Sequence, residues 1–203
     1  MLQSFLVTLR EGLEAALIVG IILAYLTKTG NRQWARSIWG GALAGVVVSL
    51  VAGWGIVSLV GGLSKNAERI FEGVATLLAS GVLTWMIIWM HRNAANLAGE
   101  LRSQVDTAIE KGSALAMAAL AFVAIAREGL ETVLFLYAIS QNASWIDTLL
   151  GALLGLSLAV LAGVLLNRGV RVLNLSTFFK GTGILLIFFA GGLLAYGVHE
   201  LQD

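Results

Sequence analysis

The pentapeptide Arg-Glu-Gly-Leu-Glu occurs twice in this chain, at residues 10–14 and again at residues 127–131, each time inside a long apolar stretch. A charged residue at the centre of a membrane-spanning helix costs roughly 2.5–3.5 kcal/mol on insertion scales. A chain that carries this motif twice must neutralise the charges against one another or use them on something polar that crosses the membrane. The duplicated motif therefore constrains the fold and the class of function together.

The composition is that of an integral membrane protein. Of the 203 residues, 58% are hydrophobic and 12% are charged, and the mean hydropathy is +0.87. Soluble domains are about 45–50% apolar and about 25% charged. The chain has no cysteine, which excludes disulfides and thiolate metal sites. No segment alternates with a period of two, so the sequence predicts helices rather than a membrane β-barrel.

Long apolar stretches indicate how often the chain crosses the membrane. A helix rises about 1.5 Å per residue and must span about 30 Å of hydrocarbon. Stretches of that length are predicted at residues 4–27, 36–62, 68–91, 113–140, 145–167 and 175–198. The predicted fold class is an all-α polytopic membrane protein with six transmembrane helices.

The basic residues sort by side of the membrane. Only Lys65 and Arg69 lie on the side of the N-terminus, and Arg10 and Arg127 belong to the motifs. The others lie around the connections between helices 1 and 2, 3 and 4, and 5 and 6, and they are Lys28, Arg32, Arg36, Arg92, Arg102, Lys111, Arg168, Arg171 and Lys180. Cytoplasmic loops carry an excess of Lys and Arg. The N-terminus is therefore predicted to lie outside.

The segment 93–112 has a pattern of its own. Leu97, Leu101, Val105 and Ile109 recur every four residues among charged residues, and Gly112 is a natural stop. This spacing predicts an amphipathic helix on the inner face or packed under the bundle. A structural connector is the simpler interpretation.

The two halves of the chain resemble each other beyond the motif. The segment 41–45 resembles 151–155, and Phe71-Glu72-Gly73 resembles Phe179-Lys180-Gly181. With the N-terminus outside, helices 1 and 4 run in opposite directions, so the sequence predicts a 3+3 inverted-topology repeat with a site near the midplane. The predicted units are a first repeat at 1–92, a cytoplasmic connector at 93–112 and a second repeat at 113–203.

Within each motif the two glutamates are three residues apart and share one helix face. Arg10 and Arg127 each precede the second acid of their motif by four residues and can reach it. If helices 1 and 4 cross at Gly12 and Gly129, four carboxylates converge with two guanidinium groups. Carboxylate oxygens favour hard cations. Mg²⁺, Ca²⁺, Mn²⁺, iron or protons alone would all fit such a ring of glutamates.

A family resemblance narrows these alternatives. The chain contains the duplicated motif, Phe71-Glu72-Gly73, Trp85-Met86, Trp89-Met90 and His199-Glu200. In these features it resembles the oxidase-dependent iron transporter family, which comprises the fungal high-affinity iron permeases and related bacterial iron permeases. Family members usually have a seventh membrane helix preceded by an external segment, which this chain lacks before it stops at Asp203.

The resemblance implies a bacterial cytoplasmic-membrane permease that imports iron as substrate, with no permanently bound cofactor and no enzymatic activity. It implies that Glu11, Glu14, Glu128 and Glu131 are iron ligands, which Arg10 and Arg127 orient. Candidate residues for iron access from outside are Glu68, Glu72, His199 and Glu200. The implied partners are membrane lipid and a ferroxidase, or a periplasmic iron-binding protein with a haem peroxidase. No nucleic-acid partner is predicted.

Two other classes of function compete with an iron permease. A proton-coupled carrier could transport another hard cation or a small organic anion. If it carried an anion, the arginines would bind the anion and the acids would relay protons. An intramembrane metallohydrolase would need His ligands or a motif such as HExxH, which the chain lacks. Interfacial anchoring explains most of the tryptophans. Only Trp85 and its neighbour Met86 are deep enough to line a pore.

Overall fold

A computed structural model gives the fold. It describes residues 1–60, 64–93, 96–141, 143–167 and 175–202, and the side chains of residues 65, 66, 68, 91, 166, 167, 175, 176 and 201 lie outside that description. The helices are α1 (Leu2–Lys28), α2 (Ala35–Val60), α3 (Lys65–Asn93), α4 (Leu97–Glu110), α5 (Ala114–Ser140), α6 (Trp145–Asn167) and α7 (Leu175–Gln202). The described residues form no β-strand, which confirms the predicted all-α class.

The chain is a multi-pass membrane protein. Within the described residues, α2, α3, α6 and α7 are long and apolar enough to cross a membrane. Helices α1 and α5 have 27 residues each and are long enough as well, although each carries the three charges of a motif. These are the predicted transmembrane helices 1 to 6, in the order α1, α2, α3, α5, α6 and α7.

Two helix boundaries differ from the prediction in ways that affect the site. Helix α3 begins at Lys65 rather than 68, so Glu72 lies two turns inside the helix and not at its start. Helix α7 continues to Gln202, so His199 and Glu200 belong to its last turn. Both extensions are polar helix ends, which a prediction from hydropathy alone leaves out of the helix.

The helices pair across the two halves of the sequence. Helix α1 packs along α6 and α2 packs along α5, while α3 packs along α7 and the motif helices α1 and α5 contact each other. This set of pairs is unchanged when α1, α2 and α3 are exchanged with α5, α6 and α7. The 3+3 inverted repeat remains a prediction, and this exchange supports it.

Glycines make two of these pairings close. A Cβ atom added to Gly45 in α2 would lie 2.9 Å from the backbone nitrogen of Ala126 in α5. One added to Gly155 in α6 would lie 2.9 Å from the backbone nitrogen of Leu9 in α1. Small residues at such positions let membrane helices approach closely. The resemblance of segments 41–45 and 151–155 therefore corresponds to equivalent packing.

Gly12 and Gly129 each face a closely packed helix, but these helices are α6 and α2, so the motif helices do not cross at these glycines. A Cβ atom on Gly12 would lie 2.7 Å from the Cβ atom of Ala159 in α6, and one on Gly129 would meet the side chain of Ser49 in α2. The reason is helical geometry, because neighbours one or two residues apart do not share a face. Since the glutamates face the other motif helix, the glycine between them faces sideways.

Helix α4 closes one end of the bundle. Leu101 and Val105 are buried in a core cluster with residues of α1, α2 and α5. The hydroxyl group of Tyr25 in α1 donates a hydrogen bond of 2.7 Å to Asp106 of α4. The structure thus agrees with a helix packed under the bundle. We call this end, where α1 ends and α5 begins, the inner end, and the opposite end the outer end.

Candidate metal centre

The two motifs lie near the middle of α1 and α5, where these two helices face each other at the centre of the bundle. Their charged side chains are buried, with exposed fractions of 1% for Arg10, 1% for Glu11 and 6% for Glu128. By contrast, large apolar side chains such as Leu50 of α2 and Leu161 of α6 are exposed on the outside of the bundle. The polar residues inside and the apolar residues outside are the arrangement that a bilayer requires.

Three of the four motif glutamates come together. One carboxylate oxygen from each of Glu11, Glu128 and Glu131 lies within 4.8 Å of the other two. Hard cations hold oxygen ligands at about 2.0–2.6 Å, so two oxygens on opposite sides of an ion are about 4–5 Å apart. The three carboxylates are therefore spaced as ligands of a single cation. We call them the carboxylate trio.

Several oxygens of the trio lack donors. Among the described residues, no group hydrogen-bonds to either oxygen of Glu11, to Oε2 of Glu128 or to Oε2 of Glu131. Buried polar atoms in proteins are normally satisfied, and unsatisfied ones indicate a missing proton, water or ion. Carboxylates at this depth, left with free lone pairs, can accept a cation or protons.

Glu14 is not part of the trio. Its carboxylate pairs with the guanidinium of Arg10 at 3.2 Å, and Arg10 also lies 3.7 Å from Glu11. Glu14 still interacts electrostatically with Glu131 of the other motif. In the second motif, Nε of Arg127 donates a hydrogen bond of 3.0 Å to Glu131. The predicted reach of each arginine to the acid four residues later is therefore confirmed.

Helix α3 forms a third side of the site, where the sequence indicated that Trp85 and Met86 are deep enough to line a pore but did not predict their contacts with the arginines. A terminal nitrogen of Arg10 lies 3.5 Å from the sulfur of Met86. The guanidinium of Arg127 lies 5.7 Å from the ring centre of Trp85 and 5.2 Å from that of Trp89. The signal for Trp89 was the repeat of the Trp-Met pair after four residues, which places Trp89 on the same helix face as Trp85.

A cavity of about 280 Å³ lies on the outer side of the trio, between α1, α3, α5 and α7. Three buried side chains that line it, Val7, Leu83 and Phe135, belong to one packed apolar cluster. Val7 is one turn outward from Glu11, and Phe135 is one turn outward from Glu131. An apolar layer about one turn thick thus separates the cavity from the carboxylates.

The outer acidic residues lie at the ends of α3 and α7. Tyr196, which lines the cavity, interacts electrostatically with Glu200 and Glu72. Arg69 of α3 lies 3.8 Å from Glu200 and is largely exposed. His199 is exposed in the same turn. The side chain of Glu68 lies outside the described residues.

The fold and the site together define a polytopic membrane protein with a buried carboxylate centre, and ionisable residues at such depth mark routes of ions or protons. The iron permease FTR1 family matches residues 1–203, and the chain belongs to this family.

Curated relatives agree with this family. The chain is 40% identical over 205 residues to the ferrous iron permease EfeU of Escherichia coli O6:H1, a match that covers 100% of this chain and 74% of the relative. It is 37% identical over 205 residues to the ferrous iron permease EfeU of Yersinia pestis, with 100% and 73% covered. No solved structure matches the chain.

Proposed function

We propose that the chain imports iron ions across the cytoplasmic membrane through the carboxylate trio. One observation carries this proposal: oxygens of Glu11, Glu128 and Glu131 lie within 4.8 Å of one another, from two different helices. Membership of an iron permease family selects iron from the hard cations that such a site could hold.

Glu14 has a different place in this proposal from the other three glutamates. Because Arg10 pairs with Glu14 at 3.2 Å, we assign Glu14 to a second position, where an ion arrives after leaving the trio or before reaching it. The two arginines then balance part of the negative charge while the site is empty. A route with successive carboxylate positions binds an ion strongly enough to admit it and weakly enough to release it.

The arginines also argue against the competing anion carrier. Arg10 and Arg127 are each bound to a glutamate of their own motif, at 3.2 Å and 3.0 Å. A carrier of organic anions would need guanidinium groups that face a cavity, and these groups already have carboxylate partners. The arrangement therefore favours a cation as the transported species.

Iron would reach the trio from the outer end. The cavity of about 280 Å³ is large enough to hold several waters. Glu72, Glu200 and His199 stand near the mouth of this route in α3 and α7, and Glu68 lies in the same segment of sequence. An external iron-binding or iron-oxidising partner would deliver the ion there.

The driving force in this proposal is the membrane potential. With the N-terminus outside and the cytoplasm negative, entry of each positive charge gains about 2.3 kcal/mol per 100 mV. Exchange of protons on the glutamates for iron would add coupling, because a cation and protons compete for the same carboxylate oxygens.

Radioactive iron uptake into proteoliposomes that contain the purified chain tests the proposal. Fe²⁺ under ascorbate and Fe³⁺ as its citrate complex would be compared, with Mn²⁺ and Mg²⁺ as competitors. We expect Glu131→Gln to abolish uptake, while Glu100→Gln, which changes an exposed acid of α4, leaves uptake unchanged. Normal uptake by Glu131→Gln would refute the carboxylate route, and preferential competition by Mg²⁺ would refute iron as the substrate.

A further inference from the structure

Both motif arginines have a second contact, and in both cases it is with α3. Arg10 meets the thioether of Met86 at 3.5 Å, and Arg127 lies over the rings of Trp85 and Trp89. The two tryptophans stack on each other, with ring centres 6.4 Å apart and planes inclined by 27°. One short segment of α3 therefore contacts the cationic groups of both motifs.

These partners share a chemical property. A thioether and an indole face carry no net charge, yet both attract a guanidinium, through a polarisable sulfur and through the negative face of the ring. A carboxylate in their place would add charge to a cluster that already holds four glutamates, and a lysine would repel the arginines. Helix α3 thus holds the guanidinium groups while their charge stays available to the glutamates.

The two arginines differ in freedom. The side chain of Arg10 is 1% exposed and enclosed between Glu11 and Glu14. The side chain of Arg127 is 39% exposed, bonded to Glu131 on one side and lying over the tryptophans on the other. Glu131 belongs to the trio, so the placement of Arg127 decides whether this ligand is available to an ion.

We propose that Trp85 and Trp89 are positioning residues, which hold the Arg127 guanidinium beside the carboxylate trio and keep it from occupying the cation site. A guanidinium released from the ring faces would turn toward the oxygens of Glu11 and Glu128, where it competes with the metal ion. This inference rests on the proposed function and deepens it, because it names what sets the affinity of the trio.

A double-substitution cycle on iron binding by the purified full chain tests the proposal. Fe²⁺ affinity would be measured under ascorbate for the wild type, Trp89→Leu, Arg127→Gln and the double variant. We expect Trp89→Leu to weaken binding by roughly threefold to thirtyfold, the strength of a cation–π contact. In the Arg127→Gln background the same change should have less than a twofold effect. Trp89→Phe, which keeps a ring face, should bind nearly as well as the wild type.

The matched control is Trp54→Leu, the same change at a tryptophan that is 74% exposed on α2. An equal loss on Trp89→Leu in both backgrounds would show a merely structural role and overturn the proposal, as would no loss in the single variant. If Trp89→Leu does not purify as a monodisperse protein, Trp85→Leu, at a tryptophan 55% exposed, replaces it in the cycle. Failure of the wild type to bind iron would instead refute the proposed function.

Discussion

Arg10 and Arg127 occupy the same place in two copies of one motif, yet their surroundings differ. Arg10 is 1% exposed and touches two glutamates, whereas the side chain of Arg127 is 39% exposed and has one carboxylate partner. At the residue scale, the first arginine is a fixed counter-charge and the second is the one that can move. The sequence could not reveal this difference, because it depends on which side of each helix α3 covers.

Replacement of Arg10 tests the fixed counter-charge. Arg10→Ala leaves Glu11 and Glu14 without their cation in a buried place, and breaking such a pair costs about 3–5 kcal/mol of folding stability. Arg69→Ala breaks an exposed pair at 3.8 Å and should cost about 0–1 kcal/mol. Thermal unfolding of both variants in detergent measures the difference. Equal losses would show that Arg10 does not balance the buried acids.

Whether the sequence predicts a contact of the site depends on whether that contact lies within one helix or between helices. The pairs Arg10–Glu14 and Arg127–Glu131 follow from the four-residue spacing on one helix, so sequence sufficed for them. The gathering of Glu11 with Glu128 and Glu131 depends on how two helices rotate against each other. The contacts of Arg127 with Trp89 depend on a third helix, and no spacing in the sequence encodes that.

At the scale of elements, close packing against glycines of α6 and α2 fixes the positions of α1 and α5. Helix α6 holds α1 and helix α2 holds α5 through equivalent small residues. The six membrane segments and the amphipathic helix followed from hydropathy and from four-residue spacing, which are local properties. The partners of Gly12 and Gly129 could not be predicted, because a small residue indicates that a helix approaches closely but not which helix it is.

Substitution of the packing glycines tests these pairings. Gly45→Ala and Gly155→Ala each place a methyl group against the backbone of a facing helix, and overpacking of this kind costs about 1–3 kcal/mol. Gly40→Ala in α2 has nothing within 4 Å and should leave stability unchanged or raise it by up to about 1 kcal/mol. Unfolding midpoints in detergent, measured with iron uptake, check this. Unchanged stability of Gly45→Ala and Gly155→Ala would contradict the close approach.

At the scale of the whole molecule, the barriers on the two sides of the trio are unequal. Toward the outer end, Val7, Leu83 and Phe135 form an apolar layer beneath a cavity. Toward the inner end, a larger buried cluster that includes residues of α4 fills the bundle. The structure therefore resembles a state that is closed at the inner end of the bundle and nearly open at the outer end. The sequence predicted two halves around a central site. It could not predict which end of the bundle is closed, because that depends on packing across the whole molecule.

Labelling of introduced thiols tests this asymmetry, and the chain suits it because it has no cysteine of its own. Gly192→Cys places a thiol at an exposed position in the wall of the outer cavity, and Met117→Cys places one in the inner cluster, where the residue is 0% exposed. A membrane-impermeant maleimide should label the first much faster than the second. Equal rates, or faster labelling of Met117→Cys, would contradict this difference between the two ends of the bundle.

The pairing of helices across the halves also has a consequence for biosynthesis. Helix α1 is made before α5, the motif helix that Glu11 faces, and α2, α3 and α4 are made in between. The carboxylate trio draws on both halves of the chain, so neither half can assemble it alone. The charged helix α1 must therefore remain in the translocon or at the membrane surface until α5 has been made. Folding of the site is complete only when the second motif meets the first.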